Sequence, residues 1–162
     1  MIAETSPDAI QLSPGLAPLL QGRAGKRKPA LVLRVDVTNA YGQGQPRALF
    51  SRVTGEAVEQ ALALDAACIV VHLLLAPDQP ELHDQCVENI GRLKPHCARY
   101  GMPLMVEALV MKPEEEGGGY RVDGDIDRIM PLVRQAVELG ADLIKADPSD
   151  DISQYGRVIE AA

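Results

Sequence analysis

The sequence predicts an α/β chain of about five βα units, an incomplete (β/α)8 TIM barrel in preference to the doubly wound sheet that such repeats also allow, and three observations predict it. Helical and strand-like segments alternate from Thr54 to the end of the chain. The strand openings resemble one another, Leu64-Asp65-Ala66-Ala67-Cys68-Ile69 beside Leu139-Gly140-Ala141-Asp142-Leu143-Ile144, and successive strands start roughly one βα unit apart. Polar residues within the apolar strands also share one face and lie toward the C-terminal ends: Gln11 and Ser13, Arg34 and Asp36, His72, Glu107 and Lys145. A barrel builds its active site there, from several strands that give one or two side chains each. Hiding that many ionisable groups to no purpose would be costly.

In order, Asp8 to Ser13 reads as a strand, Gly15 to Gln21 as a weak helix, and Ala30 to Asp36 as a second strand. Thr54 to Leu64 has apolar positions at helical spacing behind an N-cap threonine. Cys68 to Leu75 is a continuous aliphatic run, as a strand buried on both faces requires. Pro80 to Tyr100 is the next helix, stopped by Gly101, with Pro95 expected to kink its last turns or end it early. Pro103 to Leu109 is a strand, and the Glu114 to Gly119 stretch after it has the composition of a mobile loop. Asp125 to Leu139 is helical, with Pro131 implying a start near that residue or a kink. A strand over 141–147 follows, and Ile152 to Ala162 begins another helix.

Composition narrows the function classes. The 162 residues suffice for one domain with a real core, and with one Phe and no Trp that core must be aliphatic. A net charge of −7 argues against a nucleic-acid surface. The basic run from Gly22 to Lys28 lacks Walker-loop spacing and reads as a solvated loop. Cys68, Cys86 and Cys97, odd in number and without a CxxC pair, read as reduced packing residues. No signal peptide is visible, and the longest apolar run, Ala66 to Ala76, is too short to cross a bilayer, so a cytoplasmic protein without membrane partners is expected.

Lys145 carries the most chemistry. It sits near the end of a short apolar strand, where little room to reach solvent is expected. Burial there disfavours the ammonium and leaves an amine able to attack a carbonyl. Asp147, two residues on, shares its face. The alternative is a surface lysine at a strand end.

These segments resemble the class I, Schiff-base aldolases of the DhnA, FbaB, LacD and DeoC type, and are similar to class I fructose-bisphosphate aldolase. Asp8 to Gly15 resembles that family's second barrel strand, and Leu33 to Asp36 through Tyr41-Gly42 its third strand and following loop. Val58 to His72 resembles the stretch into the fourth, Tyr100 to Met105 the start of the fifth, and Glu138 to Lys145 the sixth, whose lysine forms the Schiff base. The resemblance implies carbon–carbon bond cleavage or formation in a phosphorylated ketose, with no cofactor and no metal. The chain departs from the family pattern in several places. Nothing precedes the second-strand match, Ala76-Pro77 stands where a Gly-Ser is usual, and Ala146-Asp147-Pro148 follows the lysine in place of Thr and an aromatic residue. The position of a fifth-strand tyrosine acid/base falls near Leu109, and the seventh and eighth strands, with their phosphate-binding glycines, have no counterpart before Ala162. Residues 1–162 are accordingly expected to form a partial barrel domain, the central units of a longer protein or a partial gene product.

Lys145 is assigned as nucleophile and Glu107 and Asp147 as proton-transfer candidates, against an ion-pair role for Glu107 and a turn-opening role for Asp147. Arg34, Asp36 and His72 are assigned to substrate binding. The alternatives are a structural Arg34–Asp36 pair and a hydrogen-bonded core histidine. His83 and His96 read as surface residues, and Tyr120 as a solvent-exposed loop residue or a mobile acid. Two other readings compete: a metal-assisted lyase or isomerase using Asp36, His72, Glu107 and Asp147, and an inactive fragment whose open strand edges only self-associate. A homo-oligomer is expected, and the isolated chain is expected to be nearly inactive.

Overall fold

A computed structural model describes residues 7–22, 28–41 and 48–162. Residues 23–27 of the basic run and Gly42 of the third-strand match lie outside the described residues. Five parallel strands form one curled sheet: β1 (Ala9–Leu12), β2 (Ala30–Arg34), β5 (Ala66–Leu75), β6 (Leu104–Pro113) and β8 (Leu143–Ala146), side by side in that order. Between them run the helices α1 (Ala17–Gln21), α2 (Ala57–Ala63), α3 (Pro80–Tyr100) and α4 (Ile126–Glu138), and α5 (Gly156–Ala161) follows β8. The architecture is the incomplete barrel of five βα units that the sequence predicts.

Strand alternation divides the side chains between two layers. Leu31, Leu33, Ile69, Val71, Leu73, Leu104 and Val106 face the helices and pack with Val58, Leu82, Cys86, Ile90, Leu93, Ile129 and Val133 in the main core. Val32, Cys68 and Val70, with Met105 against them, form a small apolar layer on the inner face, below the polar residues. Cys68, Cys86 and Cys97 are all buried free thiols.

Several boundaries depart from the sequence reading. The helix expected from Thr54 begins at Ala57 with Glu56 at the cap position, because Gly55 turns the chain in the left-handed region (φ 58°) first. Pro95 and Pro131 both lie inside intact helices with their side chains on exposed faces, where outward-tilted carbonyls make room for the ring. The strand expected over Ala30 to Asp36 divides at Val35. Its continuation, β3 (Asp36–Thr38), pairs antiparallel with an unpredicted β4 (Ser51–Val53).

The Glu114 to Gly119 stretch, expected as a mobile loop, is the turn of a hairpin. β6 runs on to Pro113 and pairs antiparallel with β7 (Tyr120–Val122), with Gly118 and Gly119 in the left-handed region and the Glu114 N–H bonded to the Gly119 carbonyl at 3.0 Å. Tyr120 is half-buried, and its hydroxyl donates to the Pro77 carbonyl at 3.4 Å, so it is neither a free loop residue nor a residue over Lys145.

The Gly-Ala-Asp run before Lys145 sets the register of its strand. Gly140 (φ 86°) ends α4, and the Ala141 N–H returns to the Ala136 carbonyl at 3.1 Å. Asp142 then clamps the strand start. Its carboxylate accepts from the Leu104 N–H at 2.9 Å and from Lys94 Nζ at 2.8 Å, and its own N–H donates to the Leu104 carbonyl at 2.9 Å. The Lys94 hydrogen bond and then that of Leu104 hold its carboxyl below the ordinary range. With Asp142 tied to Leu104, Lys145 falls opposite Glu107.

Candidate active site

His72 on β5 lies in register with Glu107 on β6, and Glu107 with Lys145 on β8, so the three form one row across the inner face. Arg34, at the end of β2, is opposite Val70, one layer below. Asp36, two residues further, is therefore level with His72. The five side chains connect. Asp36 accepts from Arg34 Nη1 at 3.2 Å, from the His72 main-chain N–H at 3.0 Å and from His72 Nδ1 at 3.0 Å. Glu107 receives Arg34 Nη2 on one oxygen and Lys145 Nζ on the other. His72 Nε2 stands 3.8 Å from the Arg34-bound oxygen of Glu107.

Burial works to raise the Asp36 pKa. The hydrogen bond from His72, with the charges of His72 and Arg34, outweighs it and holds the carboxyl below the ordinary range. An ionised Asp36 only accepts, so the His72 Nδ1 bonded to it carries a proton, and Nε2 is the ring nitrogen turned toward Glu107. For Lys145, desolvation lowers the ammonium pKa and repulsion from Arg34 lowers it further, while Asp147 opposes both.

Of the residues singled out in sequence, Arg34, Asp36, His72, Glu107 and Lys145 come together. Asp147 acts on Lys145 by its field and lies just past the end of β8. The expected burial of Lys145 is not what the fold provides, for its side chain is 46% exposed. Strand β8 has a described neighbour on one side only, so half of the lysine's surroundings is solvent. His83 is half-buried and bonds the Leu74 carbonyl through Nδ1 at 2.9 Å, which corrects its reading as a surface residue. His96 is exposed.

Two partners of Asp36 escape a sequence reading. Ser51 donates its hydroxyl to Asp36 at 3.1 Å, and Asn89 Nδ2 donates to Ser51 at 3.2 Å. A three-residue strand carries no period that would expose Ser51. Asn89 does leave a signal: it is the polar member of the buried stripe Leu82, Cys86, Asn89, Ile90, Leu93 and Cys97. A groove of about 610 Å³ between β4, α2 and α3 lies on the helix side, and of this network it reaches only Ser51 and Asn89. It does not touch Lys145, so it is not where a substrate would meet the amine.

Three of the four metal candidates, Asp36, His72 and Glu107, bond one another or a cation of the row. Asp36 and Glu107 are neutralised by Arg34 and Lys145, and among the described residues no three His, Cys, Asp or Glu side chains converge as metal ligands.

A curled parallel sheet that carries a lysine and a carboxylate side by side at its C-terminal rim defines a barrel-type chain. The chain belongs to the DeoC/LacD family of aldolases, whose family model matches residues 1–162. It is 24% identical over 169 aligned residues to an uncharacterized aldolase of Saccharolobus solfataricus, covering 99% of this chain and 58% of the relative. Among solved structures it resembles an archaeal fructose 1,6-bisphosphate aldolase (TM-score 0.74, 20% identity), covering 99% of this chain and 57% of that one. An archaeal fructose-1,6-bisphosphate aldolase with its catalytic lysine covalently bound to the carbinolamine intermediate gives a TM-score of 0.74 at 19% identity, covering 99% of this chain and 58% of that one. A fructose-bisphosphate aldolase from Slackia heliotrinireducens gives a TM-score of 0.65 at 13% identity, over 95% and 49%. The chain thus spans about half the length of these relatives. Among the described residues no helix is long and apolar enough to cross a membrane.

Proposed function

We propose that this chain supplies the nucleophile-bearing half of a class I aldolase that cleaves or forms a carbon–carbon bond in a phosphorylated ketose such as fructose 1,6-bisphosphate. The observation that carries the reading is the register of His72, Glu107 and Lys145 across three adjacent strands, which sets an amine with a lowered pKa against a carboxylate. Unprotonated Lys145 attacks the ketone carbon, and the carbinolamine loses water to give an iminium. Glu107 then takes the proton of the hydroxyl on the carbon beyond the scissile bond. The bond breaks toward the iminium, its electron pair forms the enamine, and the aldehyde leaves. Protonation of the enamine and hydrolysis of the imine return the lysine and release the second product.

Arg34, Asp36 and His72 make up the β2–β5 end of the site and are assigned to substrate hydroxyls, with Asp147 as the second candidate for proton transfer. The relatives named as fructose-bisphosphate aldolases support the ketose phosphate as substrate class. Homo-oligomeric assembly and a cytoplasmic location complete the reading, and size-exclusion chromatography checks the first. The deciding experiment is borohydride reduction of the full-length protein with fructose 1,6-bisphosphate, followed by peptide mapping. An adduct on Lys145 is expected, and an active protein without one overturns the assignment. EDTA leaves activity intact on this reading, whereas a loss restored by added metal favours the metal-assisted lyase.

A further inference from the structure

Ser51 and Asn89 touch none of the groups assigned to chemistry except Asp36, yet both are buried and tied into one line. Ser51 is 2% exposed and fixed by its main-chain N–H, which donates to Gln85 Oε1 on α3 at 3.1 Å. One turn along that helix, Asn89 places a carboxamide in an apolar stripe, which is costly unless the amide is bonded. Its Nδ2 donates to the Ser51 hydroxyl oxygen. A hydroxyl has a single proton, so with Asn89 on its oxygen the Ser51 proton is the one aimed at Asp36. The line therefore runs in one direction, from Asn89 through Ser51 to Asp36. It completes three donors on Asp36 Oδ2, the other two being the main-chain N–H and Nδ1 of His72.

A carboxylate so loaded does not turn, and neither does the imidazole bonded to it. We propose that Ser51 and Asn89 are positioning residues which, through Asp36, keep a proton on Nδ1 of His72, fix the ring orientation and so hold its Nε2 toward Glu107. This rests on the aldolase reading in one respect: once Glu107 has taken the substrate's hydroxyl proton, the acid it becomes faces a ring nitrogen held in place. The other charged and titratable groups around His72 are Arg34 from β2, Tyr41 with its ring centroid 6.0 Å away, and Lys145 behind Glu107. Behind Asp36 lies Cys86 of α3, whose thiol burial pushes up to about 11.

The test reads the imidazole and not only the activity. Nitrogen NMR of His72 in the full-length protein is compared at one pH in wild type, Ser51→Ala, Asn89→Ala and Ser51→Thr. Removing the Ser51 donor loosens Asp36, so the Nδ1-bound proton of His72 exchanges faster with water and the Nδ1 and Nε2 nitrogen signals move toward their exchange-averaged position in Ser51→Ala. The change is smaller in Asn89→Ala, and Ser51→Thr, which keeps the hydroxyl, restores the wild-type spectrum. Unmoved nitrogen signals in the alanine variants overturn the proposal, and either alanine variant suffices should the other not fold. Borohydride trapping is scored separately. A wild type with no Lys145 adduct defeats the aldolase reading while the imidazole shift still decides the relay. An adduct with an unmoved imidazole defeats the relay alone.

Discussion

The two ends of the polar row are built to different standards of enclosure. At the β2–β5 end Asp36 is 3% exposed and carries four donors, while at the β8 end the Lys145 side chain is 46% exposed with Glu107 as its hydrogen-bond partner. The cause lies in the neighbours. Asp36 has the β3–β4 hairpin, α3 and β5 around it, whereas β8 is flanked by β6 alone among the described residues. Enclosure therefore comes from the strands on either side and not from a residue's own segment. The Asp36 end is enclosed by elements of this chain alone. The Lys145 end still has a lowered pKa, because desolvation disfavours the ammonium and Arg34, one layer below, repels it.

The largest effect should come from the lysine itself. Lys145→Met removes the nucleophile, so the borohydride adduct disappears and turnover of the full-length enzyme falls by about a thousandfold or more. A variant that keeps more than a tenth of the wild-type rate would move the chemistry to another residue. At the other end the loss is in stability. Asp36→Asn takes from the Arg34 guanidinium one of its two carboxylate partners and leaves it Glu107, a change worth about 1–3 kcal/mol, read from denaturant midpoints. The sign with pH is fixed, since the folded-state pKa of Asp36 lies below its ordinary value of 3.8. Its contribution is fully present above that value and is lost as pH falls through the lower, folded-state pKa. Acid unfolding of wild type and Asp36→Asn should therefore converge below pH 3.8.

The sequence made the first half of this comparison easier to read than the second. Cys68 to Leu75 is continuously apolar because β5 is covered on both faces, and the run through Leu139-Gly140-Ala141-Asp142 exposes a helix end and a strand start in four residues. Counting by twos along each strand then put Arg34, Asp36, His72, Glu107 and Lys145 on one face, and they do meet. What stayed hidden was short or contextual. Three-residue strands such as Ser51–Val53 have no period to detect, and the helix begins at Ala57 because of backbone geometry at Gly55. The exposure of Lys145 depends on which strand stands beside β8, and no local pattern around the lysine encodes that.

Glu107 joins the two ends, with Arg34 on one oxygen and Lys145 on the other. Glu107→Gln keeps the shape and removes the charge. If the residue moves the hydroxyl proton, kcat drops by roughly a hundredfold or more while imine trapping on Lys145 survives. If it is only an ion-pair partner, trapping and kcat change together and by less. Comparing the two rates on one sample separates these roles.

The smallest effect isolates the field at the open end. Asp147 raises the Lys145 pKa against the two influences that lower it, burial and Arg34. Asp147→Asn removes that opposition, so the ammonium loses its proton at lower pH and a larger fraction of Lys145 is free amine near neutrality. The rise of the trapping rate with pH should move to lower pH, with an unchanged plateau on the alkaline side, where the lysine is already neutral. The shift should be modest, because Lys145 is half exposed and solvent screens the carboxylate. Salt gives the control: added chloride screens Asp147 in the wild type and should narrow the gap between the two profiles. If Asp147→Asn instead lowers the plateau itself, Asp147 handles a proton in the reaction, and the open end of the row holds a second acid/base beside Glu107.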